Sequence, residues 1–271
     1  MTSTSTSPKG TALITGASAG IGAVYADRLA KRGYDLILVA RNAERLTALA
    51  ARLTAETGRS VSTIKADLND KTDLLKVEGI LRDDKTITML VNNAGVGSVA
   101  SVLGDNVDEM EAMISLNITA LTRLTYAVAP VFTGKGAGTI INISSVVGIA
   151  VEMLNGVYSA SKSYVLSFGH ALQRDLAGKG VRIQTVLPAA TATEFWDVAG
   201  YAKQKEAAST MSAADLVDAA LAGLDQGELV TIPTLHDGDD WTRWEADRRV
   251  LAPKFANAKP APRYAASIDK A

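Results

Sequence analysis

Six short β-rich apolar runs punctuate this chain: TALIT (11–15), DLILVA (35–40), VSTIKA (61–66), ITMLV (87–91), GTIINI (138–143) and VRIQTVL (181–187). Between them, GAVYADRLAKRG, AERLTALAARLTAETG, KTDLLKVEGILR and NVDEMEAMISLNITALTRLTYAVAPVF carry apolar residues every three or four positions, the pattern of helices with one buried stripe. Strand and helix in strict alternation predict an α/β fold, a doubly wound parallel sheet with helices on both faces. A further helix is expected over about 156–178, and a weak strand, ELVTIP (228–233), closes a sheet of about seven strands. Ligands of such sheets bind beyond the carboxyl ends of the strands, so the chemistry is to be sought there.

With 271 residues, 47% of them hydrophobic, the chain can bury one large core, and a single domain is expected over residues 9–255. Residues 1–8 are polar and read as a disordered tail, while the Pro/Ala-rich stretch 256–271 reads as loosely held. From 188 the periodicity weakens, and AATATEFWDVAGYAKQKEAASTM mixes aromatics, Ala and charge, as a substrate lid over about 190–212 would. Neither a secretory signal nor an apolar run of membrane-spanning length is visible, so a cytoplasmic location is expected. With 28 basic and 29 acidic residues there is no bulk charge to attract nucleic acid or a membrane surface. No Cys and two isolated His, at 170 and 236, leave no set of metal ligands.

The first strand runs into Thr15-Gly16-Ala17-Ser18-Ala19-Gly20-Ile21-Gly22, which opens a helix. Glycines let the backbone approach a pyrophosphate, and free N–H groups at a helix start favour its charge. The spacing GxxxGxG differs from the GxGxxG fingerprint, and alone the loop could be a tight turn without a ligand. After the second strand, where an acid often holds a ribose 2′-hydroxyl, stands Arg41, and a guanidinium there suits a 2′-phosphate. NADP(H) is therefore favoured over NAD(H). After the third strand, Asp67 could accept from adenine or equally cap the next helix.

Asn92-Asn93-Ala94-Gly95 follows the fourth strand and Ser144-Ser145 the fifth. Tyr158 and Lys162 stand at i and i+4, so both share one helical face, although such a pair is also common on ordinary half-buried helices.

Taken together, TGASAGIG, NNAG, a Ser thirteen residues before a Tyr, and YSASK resemble the short-chain dehydrogenase/reductase family in its form of roughly 250 residues, over residues 11–193. The resemblance implies a Rossmann-like fold and an oxidoreductase that interconverts a ketone or aldehyde and an alcohol. Tyr158 would be the general acid and base, Lys162 would lower the phenol pKa and hold the nicotinamide ribose, and Ser145 would bond the carbonyl oxygen. Asn117 matches the family residue that bends its helix and anchors a water leading to the Lys. The cofactor would lie against Gly16, Ser18, Gly20, Ile21, Gly22, Arg41, Asp67, Asn93, Gly95, Tyr158, Lys162, Pro188, Thr191 and Thr193. VAR after the second strand is similar to the NADP-preferring branch, and a homodimer or homotetramer is implied.

One departure is Pro188-Ala189 where the family usually has Pro-Gly. If φ there is positive, Ala189 is strained and the contacts of Thr191 and Thr193 shift. Residues 96–98, 146–157 and the lid with Phe195, Trp196 and Tyr201 are mostly apolar, with Glu152 the one nearby charge, so a small hydrophobic ketone or secondary alcohol is expected. Two other readings fit parts of the pattern: a nucleotide-sensing protein that keeps the fold without catalysis, and a sugar-nucleotide epimerase. The second generally carries a GxxGxxG loop and a larger substrate domain, both missing here.

Overall fold

The computed structural model describes residues 9–104 and 106–264; the expected tail at 1–8 and the last seven residues of the expected C-terminal tail lie outside them. Seven strands form one sheet: β1 (Thr11–Thr15), β2 (Asp35–Ala40), β3 (Val61–Lys65), β4 (Ile87–Asn92), β5 (Gly138–Ile143), β6 (Val181–Val186) and β9 (Val230–Thr231). Their order is β3-β2-β1-β4-β5-β6-β9, and every neighbouring pair is parallel. The order reverses between β1 and β4, which opens a crevice at their carboxyl ends.

Period-two alternation sends successive side chains to opposite faces of the sheet. Ala12 and Ile14 of β1, with Leu36 and Leu38 of β2, pack beneath α1 (Gly20–Lys31), α2 (Ala43–Thr57) and α8 (Ala213–Gln226). Leu13, Ile37 and Val39 face the other way, toward α3 (Lys71–Asp83), α5 (Leu121–Lys135) and α6 (Gly156–Leu176). Helices cover both faces, as the strand-helix alternation predicted, and only the edge strand β3 stays largely exposed.

Local signals set the helix ends. Asn42, Asp70 and Ser212 accept backbone N–H bonds at the starts of α2, α3 and α8, while Gly58, Gly136 and Gly227 end α2, α5 and α8 in the left-handed conformation. The helix expected over 106–132 is interrupted: α4 (Val107–Ile114) passes through a π-helical turn at Ser115–Ala120 before α5 begins. The expected lid is closed at its base by a two-residue parallel pairing of β7 (Thr191–Ala192) with β8 (Met211–Ser212), and carries α7 (Phe195–Val198).

The described chain falls into two compact units that divide after Pro233. The second contains α9 (Gly238–Leu251), capped by Asp237, with Trp241 and Trp244 stacked at 4.8 Å and a buried Glu245 bonded by Arg248. No helix of the described residues is long and apolar enough to cross a membrane.

Candidate active site

The turn from β1 into α1 needs its glycines. Gly16 and Gly20 adopt φ of 65° and 53°, in the left-handed region, and a Cβ on Gly22 would overlap the Gly16 carbonyl. Ala19 caps α1 without a side-chain bond, so the first N–H groups of the helix keep their free donors. A residue that the sequence reading passed over holds this turn: the Thr15 hydroxyl accepts from the backbone N–H groups of Asn93 and Ala94, both at 3.0 Å. Asn93 answers by donating Nδ2 to the carbonyls of Thr15, at 2.9 Å, and Gly16, at 3.2 Å. The two motifs are therefore one clamp across the β1/β4 crevice.

A cavity of about 510 Å³ lies over this crevice. Of the expected cofactor residues, Gly16, Gly20, Ile21, Arg41, Asn93, Gly95, Tyr158, Lys162, Pro188, Thr191 and Thr193 line it; Ser18, Gly22 and Asp67 do not. Gly22 acts by leaving room for the turn. Asp67 accepts from Asn69 N–H in a local turn, at 3.0 Å, while its own N–H is held by Asp73. Arg41 is exposed, faces the cavity and has no side-chain partner among the described residues.

On the far wall, Asn155 caps α6 by accepting from the N–H groups of Val157 and Tyr158, at 2.8 and 3.1 Å, and donates to Ala100 O, at 2.7 Å. This fixes the first turn of α6 and with it the phenol. Ser145, Tyr158 and Lys162 are all buried and all line the cavity. The Ser145 hydroxyl acts to lower the phenol pKa; its Oγ donates to Pro188 O at 3.2 Å and accepts from Val147 N–H at 3.3 Å. Lys162 Nζ donates to Ile143 O at 3.0 Å and sits 5.6 Å from the centre of the Tyr158 ring. Ser144 donates to the Lys162 carbonyl, at 2.7 Å, docking the loop after β5 onto α6.

Burial decides the protonation of the pair. It pushes the Tyr158 phenol well above its ordinary value, with the Ser145 bond pulling weakly the other way, and lowers Lys162 to about 8. The expected lowering of the phenol by Lys162 is thus not what this structure shows. The phenol is buried, and desolvation is the largest influence on it. At neutral pH the pair is a neutral phenol beside an ammonium.

Asn117 sits in the π turn, and its amide is fully engaged. Nδ2 donates to Val96 O, at 2.9 Å, and to Ser161 Oγ, at 3.1 Å; Oδ1 accepts from Val96 N–H, at 3.0 Å. Ser161 in turn donates to the Tyr158 carbonyl, at 2.7 Å. Asn117 therefore ties the irregular segment after NNAG to the turn that carries the phenol, and makes no bond to Lys162.

The Ala189 departure is harmless: no non-glycine residue described has positive φ, so the alanine is unstrained. Thr191 donates to Ala189 O, at 3.0 Å, and its carbonyl accepts from Trp196 Nε1, at 2.9 Å. Thr193 accepts from Phe195 N–H, at 3.3 Å. Val96, Met153, Leu154, Phe195, Trp196 and Tyr201 form the apolar end of the cavity, and the Phe195 ring lies 5.5 Å from that of Tyr158. Glu152 does not face this space; the carboxylate that does is Glu194.

A phosphate-ready glycine turn at the crevice of a parallel sheet, opposite a buried Ser-Tyr-Lys set, defines a dinucleotide-dependent α/β oxidoreductase. The profile of the short chain dehydrogenase family matches residues 10–204, and the chain belongs to that family. It is 37% identical over 189 residues to human 17-beta-hydroxysteroid dehydrogenase type 3, a match covering 67% of this chain and 59% of that enzyme's length. Among solved structures, a short-chain dehydrogenase from Sphingobium yanoikuyae in complex with NADPH is 47% identical with a TM-score of 0.91, over 94% of this chain and 100% of that one. The bulky-bulky ketone specific alcohol dehydrogenase from Comamonas testosteroni is 43% identical with a TM-score of 0.87, over 94% and 98%.

Proposed function

We propose that this protein is an NADP(H)-dependent carbonyl reductase and alcohol dehydrogenase acting on hydrophobic ketones. The observation that carries the reading is the placement of Ser145, Tyr158 and Lys162 on one buried wall of the cavity whose opposite wall is the glycine turn.

The cavity suits the dinucleotide. Gly16 and Gly20 bare the backbone, the start of α1 offers uncapped N–H donors to a pyrophosphate, and unpartnered Arg41 suits a 2′-phosphate. Lys162 has two ammonium donors beyond the one given to Ile143, enough for ribose hydroxyls. When bound, the reduced cofactor supplies the hydride. Tyr158, kept protonated by burial, donates its phenolic proton to the carbonyl oxygen, and in the reverse direction takes the alcohol proton back. Ser145 turns its proton from Pro188 toward the same oxygen and steadies the charge that grows there. The Lys162 ammonium favours the phenolate that proton transfer leaves behind.

The apolar lining by Val96, Leu154, Phe195 and Trp196 supports a hydrophobic substrate, and the likeness to the Comamonas enzyme supports one with bulk on both sides of the carbonyl. A cytoplasmic homodimer or homotetramer completes the proposal, as the family resemblance implies.

The test is NADPH oxidation across a panel of ketones and aldehydes, with NADH controls, in wild type and Arg41→Asp. Turnover with bulky aromatic ketones is expected, and the substitution should raise the KM for NADPH far more than for NADH. No turnover across the panel would overturn the reading as an enzyme, and equal effects on both cofactors would remove Arg41 from phosphate recognition.

A further inference from the structure

One ion pair reaches from the lid to the helix that follows Arg41. Arg45 Nη1 donates to Glu194 Oε2 at 2.7 Å, joining positions far apart in the chain. Arg45 stands in the first turn of α2, four residues beyond Arg41, and Glu194 is the residue just before α7. Arg41 and Glu194 line the same cavity. Both ends of the pair are about half exposed, at 49% and 57%, so its contribution to stability is small and its place needs another explanation.

Its surroundings supply one. A carboxylate alone beside the 2′-phosphate that Arg41 is suited to hold would repel it. A guanidinium has five N–H donors, and Arg45 spends one on Glu194, leaving the rest of its fork for a phosphate oxygen. The lid is already packed at this corner, since a Cβ on Gly20 would meet the Thr193 methyl at 3.1 Å. We infer that Arg45 is a second reader of the 2′-phosphate and Glu194 its positioning residue, so that a phosphate held by Arg41 and Arg45 draws the lid onto the cofactor through Glu194. The inference rests on the NADP(H) reading above. A dinucleotide without the phosphate gives Arg45 nothing to bridge and leaves the lid as loose as before.

Two readouts other than turnover test it: dissociation constants for NADP+ and NAD+, and hydrogen–deuterium exchange of the peptide spanning 190–206 under saturation with each. In wild type, exchange in this peptide is expected to be several-fold slower with NADP+ than with NAD+. Arg45→Met should weaken NADP+ by about tenfold, the loss of one charge-assisted contact, and leave NAD+ unchanged, with partial recovery in Arg45→Lys. Glu194→Gln should keep most of the NADP+ affinity and lose the difference in lid exchange. Equal lid exchange under both dinucleotides in wild type, an equal loss of both affinities in Arg45→Met, or an exchange difference that survives Glu194→Gln would each overturn the inference. If wild type bound NADP+ no more tightly than NAD+, the cofactor reading would fall and this inference with it. If NADP+ bound more tightly but the lid did not respond, the cofactor reading would stand and only the bridge would fall.

Discussion

The ring of Phe195 rests against the α-carbon of Gly97: a Cβ at residue 97 would overlap Phe195 Cζ and come within 2.9 Å of Cε2 and 3.2 Å of Tyr158 Cδ2. This notch seats the Phe195 ring beside the ring of Tyr158. Gly97→Ala should therefore lower stability by about 1 kcal/mol, the low end for overpacking because Phe195 belongs to a short surface helix that can shift. On a chain of this size that is a fall of roughly 2–4 °C in Tm, and Phe195→Ala in the same background should restore most of it. An unchanged melting temperature in the glycine variant would show that the ring does not rest there.

Tyr158→Phe removes one hydroxyl from a packed ring and leaves the glycine turn intact. We expect kcat for ketone reduction to drop by about 10²- to 10⁴-fold, with the dissociation constant for NADPH within a few-fold of wild type. Single-turnover kinetics beside a binding titration separates the two. A variant retaining most of its turnover would show that another group delivers the proton.

The pH dependence follows from Lys162, which burial lowers to about 8. The proposed mechanism needs the ammonium beside a protonated phenol, and the phenol, raised by burial, keeps its proton in this range. Thus kcat/KM for reduction is expected to be flat near neutrality and to fall with unit slope above about pH 8. Stability moves the other way. Between the folded and unfolded values of Lys162 the unfolded chain binds the extra proton, so stability from this group rises with pH above 8. Lys162→Met should be the more stable protein at pH 7, by on the order of 2 kcal/mol, and its advantage should shrink by pH 9.5. Urea unfolding at the two pH values measures the difference.

Glu78 on α3 is a buried carboxylate bonded by Arg123 of α5 and by Arg82, at 3.1 Å. Burial alone would raise its pKa, yet the two arginines outweigh it and hold it below the usual range. Arg123→Met leaves the carboxylate buried with one partner and should cost about 1–3 kcal/mol at pH 7. Glu78→Gln should cost less, because the guanidinium left behind reaches water. A double-mutant cycle by chemical denaturation reports the coupling.

TGASAGIG, NNAG and YSASK were legible in the sequence through their joint order and spacing, although each alone also fits an ordinary turn or helix. Contacts between distant segments were not. Nothing near Thr15 announces that its hydroxyl serves the backbone of Asn93 and Ala94, and nothing near Arg45 points to Glu194. A bend at Asn117 was implied by the family resemblance and not by the apolar spacing, which is that of an ordinary helix; the bonds of Asn117 to Val96 and Ser161 that accompany the π turn are tertiary. Helix α8 could have been found: Ser212 and Asp215 have the spacing of a capping pair, and Gly227 closes the run. The strands β7 and β8 offered no such signal, since two residues are too few for a period.

Ala189, unstrained and bearing a side chain, has a consequence for how the mouth of the site can deform. Between Pro188 and Met211 the only glycine is Gly200, whose φ is 83°. By residue type, backbone freedom in this stretch is concentrated at Gly200, just beyond α7. The one glycine thus stands between the turn bearing Phe195 and Trp196 and the turn bearing Tyr201 and Gln204, like a joint set near the tip of a jaw rather than at its root.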